Sequence, residues 1–200
     1  MTKTTLILIR HGETNTNVKN VLHMPNDKDK LTEKGTDQMK KTSKKIKHLQ
    51  ADALYSSVES RALESADFIS QSLDLKVQPT IELKERNWGD LSGKPWVEVE
   101  NILNQLPLEE RYCYTPTNGE SWQKFEERLV PAIKAITEKN QGKKVVIVTH
   151  GGSIRALMPY LLNIPKEESF KYYPRNASLS IFELEDEKIN SLVIDDISHL

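Results

Sequence analysis

"LILIRHGETNTN", residues 6–17, runs four apolar side chains straight into an arginine and a histidine, then a glycine, a carboxylate and a row of small polar residues. A short, unbroken apolar run of this kind is the form of a strand covered on both faces of a parallel sheet. A buried strand delivers its last residues to one fixed place, and nothing in the stretch neutralises Arg10. The charge calls for an anion at the strand's carboxyl end.

Two other runs repeat the device. "KVVIVTHGG", residues 144–152, ends on His150 and two glycines, and "DALYSS", residues 52–57, is followed closely by Arg61. Between these runs the apolar residues are spaced for helical faces. Thr32 reads as the N-cap of a helix reaching about Leu49, and Ala62, Ala66, Ile69 and Leu73 make one face. Trp122, Phe125, Leu129, Ile133 and Ile136 make another, and Ile154, Leu157, Met158 and Leu161 a last. Pro131 and Pro159 lie inside these two patterns and predict a kink or an early stop at each. "SLSIFELE", residues 178–185, alternates with period two and suits a final strand nearer an edge. Alternating strands and helices give an α/β fold: a mainly parallel sheet, right-handed crossovers and helices on both faces.

In an open parallel sheet the carboxyl ends of the strands share one edge, and the crevice there is where ligands bind. Arg10, His11, Arg61, His150 and Gly151 all fall at such ends. Two arginines, two histidines and helix N-termini converging on one point make a phosphate site. Guanidinium forks match phosphate oxygens, and helix starts favour negative charge.

The anion site must be local, because the formal net charge is only −1 and gives no global case for nucleic acid or an anionic membrane. The densest basic run, within "QMKKTSKKIKHLQ", spaces Met39, Ile46 and Leu49 for one helical face and reads as a solvated helix surface. With 200 residues and 37% hydrophobic content the chain can build a sizeable core as one domain, residues 1–200. A lid or substrate-specificity segment is expected at about 86–122. The lone Cys113 forms no internal disulfide, and the N-terminus lacks the apolar core of a signal peptide. No run reaches transmembrane length, so a cytoplasmic protein is expected.

Seven stretches, in order, resemble the histidine phosphatase superfamily in its phosphoglycerate-mutase-like branch. They are "RHGETNTN", "LTEKG", "SSVESRALESA", "ERNWGDLSG", "NGESWQKFEER", "THGGSIRAL" and "NASLSIFELE", spread over nearly the whole chain. The resemblance implies a phosphoglycerate-mutase-like fold and a reaction with neither metal nor other cofactor. It makes His11 the nucleophile that becomes phosphorylated, has Arg10 and Arg61 grip the transferring phosphoryl, and lets His150 donate to it from the other side. Asn17 would bind the same oxygens, with Thr14 and Gly151 also in phosphate binding. Glu85 would protonate the leaving group. Glu82 stands close by, but the carboxylate directly before "RNWG" fits the pattern better.

The residues support these roles on their own chemistry. A histidine attacks phosphorus only with one ring nitrogen unprotonated, and neighbouring cations disfavour its charged form. The other ring nitrogen needs a fixed acceptor, for which the Gly12 carbonyl is the expectation. A departing alkoxide needs a proton, hence Glu85. A zinc site of His11, His150 and Glu85 lacks H-E-x-x-H and would set Arg10 beside the cation; no P-loop is complete, and no arginine stands six residues after Cys113. His23, His48 and His199 have no comparable context and are expected on the surface. Trp96 and Trp122 read as core, whereas Trp88, close to Glu85, is placed in the leaving-group pocket. Trp88, Trp96, Tyr112 and Tyr114 would stack on a substrate ring or fill a lid.

The expected activity is a metal-independent phosphatase acting on a small phosphorylated metabolite. A phosphoglycerate mutase is the first alternative. Mutases of the family carry a longer insertion after the "ERxxG" segment, with paired arginines for a second anion, where "KPWVEVENILNQLPLEERYCYTPTNGES", residues 94–121, supplies only Arg111. A non-catalytic phospholigand-binding module is the second alternative.

Overall fold

The computed structural model describes residues 3–25, 27–185 and 188–200. Its frame is a six-stranded sheet in the order β3-β2-β4-β1-β5-β6. The strands are β1 (Thr4–Arg10), β2 (Ala53–Ser57), β3 (Val77–Thr80), β4 (Lys144–Thr149), β5 (Leu179–Glu185) and β6 (Lys188–Asp196). The pairs β1–β4, β4–β2 and β2–β3 are parallel, whereas β5 runs antiparallel to both β1 and β6.

The core follows from strand alternation, which sends successive side chains to opposite faces. Leu6, Leu8, Tyr55, Val145 and Ile147 enter one apolar layer with the helices α6 (Trp122–Lys139) and α7 (Gly151–Leu162). Ile7, Ile9, Leu54, Val146 and Val148 enter the opposite layer with α2 (Glu33–Ile46) and α3 (Ser60–Leu73). All ten strand residues except Tyr55 are completely buried. Truncating any one of the leucines or isoleucines among them to alanine costs about 2–5 kcal/mol. Two-sided burial is what the unbroken apolar runs predicted. Thr32 caps α2 by accepting from the Gly35 N–H.

Several expectations need correction. Neither proline ends its helix. Pro131 is exposed, as is Glu127, whose carbonyl loses its helical donor to the proline ring, so solvent reaches that oxygen and the buried face keeps α6 continuous to Lys139. Past Pro159, α7 continues to Leu162 and stops where Asn163 turns left-handed. The strand at Leu179–Glu185 lies next to an edge, as expected, but is not the final strand, because β6 follows it and pairs outside it. The other edge, β3, is a four-residue strand that contains Pro79, a residue tolerated only where ladder bonds are dispensable.

Between β3 and α6 the chain forms the short helices α4 (Trp96–Asn104) and α5 (Leu108–Cys113). Trp88, Leu91 and Val99 make a small separate apolar cluster there, packed against Leu22, Trp96 and Tyr114. The short helix α1 (Asn15–Val18) follows β1. No helix among the described residues is long and apolar enough to cross a membrane.

Candidate active site

The sheet brings the predicted residues to one edge. His11 is the first residue after β1, and its backbone N–H bonds to the Thr149 carbonyl at 2.9 Å, which ties it to the end of β4. Ala177 steadies the same turn, its N–H lying 3.1 Å from the carbonyl oxygens of both Arg10 and His11. Ala177 holds a left-handed conformation, φ 60°. That conformation costs an L-residue about 1–2 kcal/mol, so this contact stabilises it against a real penalty.

The His11 side chain is 2% exposed, and its Nδ1 stands 2.7 Å from the Gly12 carbonyl oxygen. A carbonyl only accepts, so Nδ1 carries the proton and the lone pair of the neutral ring lies on Nε2. Burial, more than any neighbour, pushes His11 well below the usual histidine range, and Arg61, His150 and Arg10 push the same way. The ring is uncharged at neutral pH and offers Nε2 as a nucleophile.

Around it stand buried nitrogens without a hydrogen-bond partner among the described residues. Arg61 is 1% exposed, with Nη1 3.4 Å from Asp27 and Nη2 3.3 Å from Glu59. Its Nε is buried without a hydrogen-bond partner, as is the Nε of Arg10. Arg10 donates from Nη1 to the Pro174 carbonyl and lies flat on Gly151, where an added Cβ would stand 3.2 Å from its Cζ. His150, fully buried, has its ring centroid 5.3 Å from that of His11 and its Nδ1 without a partner.

Glu85 reaches the site through backbone anchors: its Oε2 accepts from the Gly152 N–H at 2.9 Å, and its Oε1 from the Arg86 N–H at 2.8 Å. Glu82 is exposed, and only its carbonyl is engaged, by Arg128. Of the two carboxylates, Glu85 lines the cavity described below and Glu82 does not. Asn17 accepts from the Thr14 N–H and from Asn176, which leaves its amide nitrogen near His23. Thr14 does not reach the cavity: it is fully buried as the N-cap of α1, accepting from Asn17 N–H.

Arg10, Asn17, His23, Arg61, Glu85 and Gly151 line a cavity of about 800 Å³, whereas His11 and His150 are buried and are not among its lining residues. Trp88, Trp96, Trp122, Tyr172 and Tyr173 line it too. Trp122 thus belongs to both core and cavity. Tyr112 turns away, its hydroxyl donating to Glu126 at 2.7 Å, and Tyr114 packs in the small apolar cluster.

Four elements of the site were not read from sequence. His23 is a cavity residue and not a surface one. Its ring meets His11 edge-on at 6.0 Å, and its Nδ1 donates to Asp27 at 3.1 Å. Burial lowers its pKa to about 4. His199 is also half-buried, held by Thr42 and the Ala177 carbonyl, so of the three only His48 is exposed. Glu59 stands 2.8 Å from His150 Nε2 and accepts from the Glu85 N–H at 2.8 Å. Arg86 and Arg155 lie on the indole of Trp122 at 5.7 and 5.4 Å, each with two nitrogens donating to backbone carbonyls. Arg111, the arginine the sequence offered, donates instead to the Leu106 carbonyl. Only a histidine directly before the Met24-Pro25 turn, and a carboxylate two residues before Arg61, marked His23 and Glu59 in the sequence.

A family model described as the histidine phosphatase superfamily (branch 1) matches residues 6–197. A 2,3-bisphosphoglycerate-dependent phosphoglycerate mutase of Thermoplasma acidophilum is 32% identical over 186 residues, covering 93% of this chain and 90% of the relative. A metal-independent phosphoserine phosphatase of Arabidopsis thaliana is 31% identical over 206 residues, covering 98% of this chain and 83% of the relative. A solved structure of a phosphoserine phosphatase mutant from Entamoeba histolytica, in complex with phosphoserine, superposes with a TM-score of 0.88 at 26% identity. It covers 98% of this chain and 99% of that one.

Proposed function

We propose, for a chain that belongs to the histidine phosphatase superfamily (branch 1), that it hydrolyses small phosphate monoesters without a metal through a phosphohistidine on His11. The observation that carries this reading is the fixed, uncharged His11 ring with Nδ1 on the Gly12 carbonyl. Its Nε2 lone pair attacks phosphorus as the ester P–O bond breaks. The unpartnered nitrogens of Arg10, Arg61 and His150, with the Asn17 amide and the Gly151 N–H, hold the three equatorial oxygens. Glu85 gives its proton to the departing alkoxide. In the second half, water attacks the phosphohistidine, its proton passes to the Glu85 carboxylate, and the P–N bond breaks to release phosphate.

The alcohol part of the ester is assigned to the aromatic section of the cavity, with Trp88 and the segment 86–122 setting specificity. The test is a labelling experiment. Brief incubation with a labelled phosphate monoester is expected to leave an acid-labile label on the wild-type protein and none on His11→Ala. No label on the wild type would leave a phospholigand-binding module as the reading.

One observation favours a second reading. Arg86 and Arg155 flank Trp122 in the cavity, outside the segment where paired arginines were sought, and both are suited to an acidic group on a substrate. A phosphoglycerate mutase would use them to hold its substrate carboxylate. With a phosphoglycerate as substrate, the phosphatase reading expects phosphate release to outrun isomerisation, and the reverse ratio would make the protein a mutase.

A further inference from the structure

Glu59, whose side chain is only 9% exposed, touches three groups of the proposed machinery. Its Oε2 stands 2.8 Å from His150 Nε2 and accepts from the Glu85 N–H at 2.8 Å, and its Oε1 stands 3.3 Å from Arg61 Nη2. A bare imidazole lone pair cannot face a carboxylate at that distance, so His150 Nε2 carries a proton and donates it. The hydroxyl of Ser57, 2.8 Å from the same nitrogen, shares that proton. In the neutral ring the lone pair then lies on Nδ1, which has no partner among the described residues, in a ring whose centroid is 5.3 Å from that of His11. A lone pair there would repel phosphoryl oxygens.

We infer that Glu59 is a positioning residue: it fixes His150 with Nε2–H on its carboxylate, so that the ring takes a second proton, at Nδ1, when a tetrahedral dianion enters the site. The proton comes from solvent, and the imidazolium formed sits between two anions, Glu59 behind and the phosphoryl in front. Burial and Arg61 hold His150 below its ordinary value of 6.5 in the free protein, and Glu59 opposes both. Among the described residues, the charged or titratable groups facing the ring are Arg61 and Glu59 from α3 and its start, His11 from the end of β1, and Glu85; Arg10 lies against the adjacent Gly151. His23 stands behind His11. The proposal rests on the phosphohistidine reading only for the site's use.

The test measures sulfate, a permanent dianion that does not titrate itself, binding the whole protein between pH 5 and 9. The ring of His150 is followed by NMR at the same time. In the wild type sulfate affinity falls as pH rises, and binding takes up a proton assigned to His150 Nδ1. An opposite charge at this range moves a pKa by about one unit or more, so in Glu59→Gln sulfate affinity at pH 7 falls by about tenfold or more. The whole limb moves to lower pH. Glu59→Asp, which keeps the charge, restores part of the affinity and the proton uptake. Sulfate affinity and His150 titration unchanged in a folded Glu59→Gln would overturn the proposal. Single-turnover labelling from nitrophenyl phosphate, whose leaving group needs no proton, gives the matching kinetic readout without the water step that uses Glu85: the ester concentration for half-maximal labelling rises more than the limiting rate falls. A wild type that binds sulfate in this way but never labels His11 would fail the functional reading alone.

Discussion

Gly152 gives the sharpest separation of the proton donor from the rest of the site. A Cβ added there would overlap Glu85 Oε1 and stand 2.9 Å from Cδ and 3.0 Å from Oε2. Carbon atoms settle at about 3.5–4.0 Å, so the carboxyl group must recede by roughly 0.6–1.1 Å. What recedes is the end of a flexible side chain, and alanine suits a helix better than glycine by about 1 kcal/mol. Folding stability is therefore expected to hold or rise in Gly152→Ala. The proton is not delivered from the new position: a misplacement near 1 Å costs about 10²-fold, within the ~10²–10⁴ that a general acid supplies. Single-turnover formation of the phosphoenzyme from an alkyl phosphate should fall by about 10². From nitrophenyl phosphate, whose anion leaves unprotonated, it should fall by less than about tenfold. Equal losses with both esters, in a variant whose thermal midpoint is kept, would refute the assignment of Glu85 as the acid.

Glu85→Gln, assayed in the same way, should lose about 10²–10⁴ with the alkyl ester and far less with the aryl ester; Glu82→Gln, altered only at an exposed carboxylate, should match the wild type with both. His23 predicts an acid sensitivity. Its pKa is about 4 folded against 6.5 unfolded, so above pH 6.5 its contribution to stability is nil. Between the two values the unfolded chain binds the extra proton and stability falls with pH, by roughly 2–3 kcal/mol at pH 4.5. Urea melts of His23→Gln should lose that much less than the wild type between pH 7.5 and 4.5, and parallel losses would show that His23 is not held neutral.

The parallel half of the sheet was legible because two-sided burial leaves unbroken apolar runs, and β1 and β4 were placed within a residue or two. The edges were not. Strand β3 buries little and contains a proline, and β6 buries none of its residues fully, so neither carries the apolar run or clean alternation that a strand needs to stand out. In the site, Arg10, His11, Arg61 and His150 were legible since each follows a strand whose end the sheet fixes. Glu59 and His23 were not, because their roles come from contacts across the fold. A carboxylate at a helix start ordinarily meets the helix dipole, and only the arrival of β4 beside β2 turns it towards His150. His23 likewise becomes a cavity residue through the packing of its loop over His11.

The buried, unpartnered nitrogens of Arg10, Arg61 and His150 make no distinction between an ester and orthophosphate, since both present the same tetrahedral oxygens. In the proposed reaction the product therefore leaves a pocket that attracts it as strongly as it attracted the phosphoryl end of the substrate. Discrimination rests on the alcohol part alone, in the aromatic section. Orthophosphate is then a competitive inhibitor of the proposed reaction. The rate follows the ratio of ester to free phosphate more closely than the ester concentration, so the protein works fastest on a given ester where phosphate is scarce.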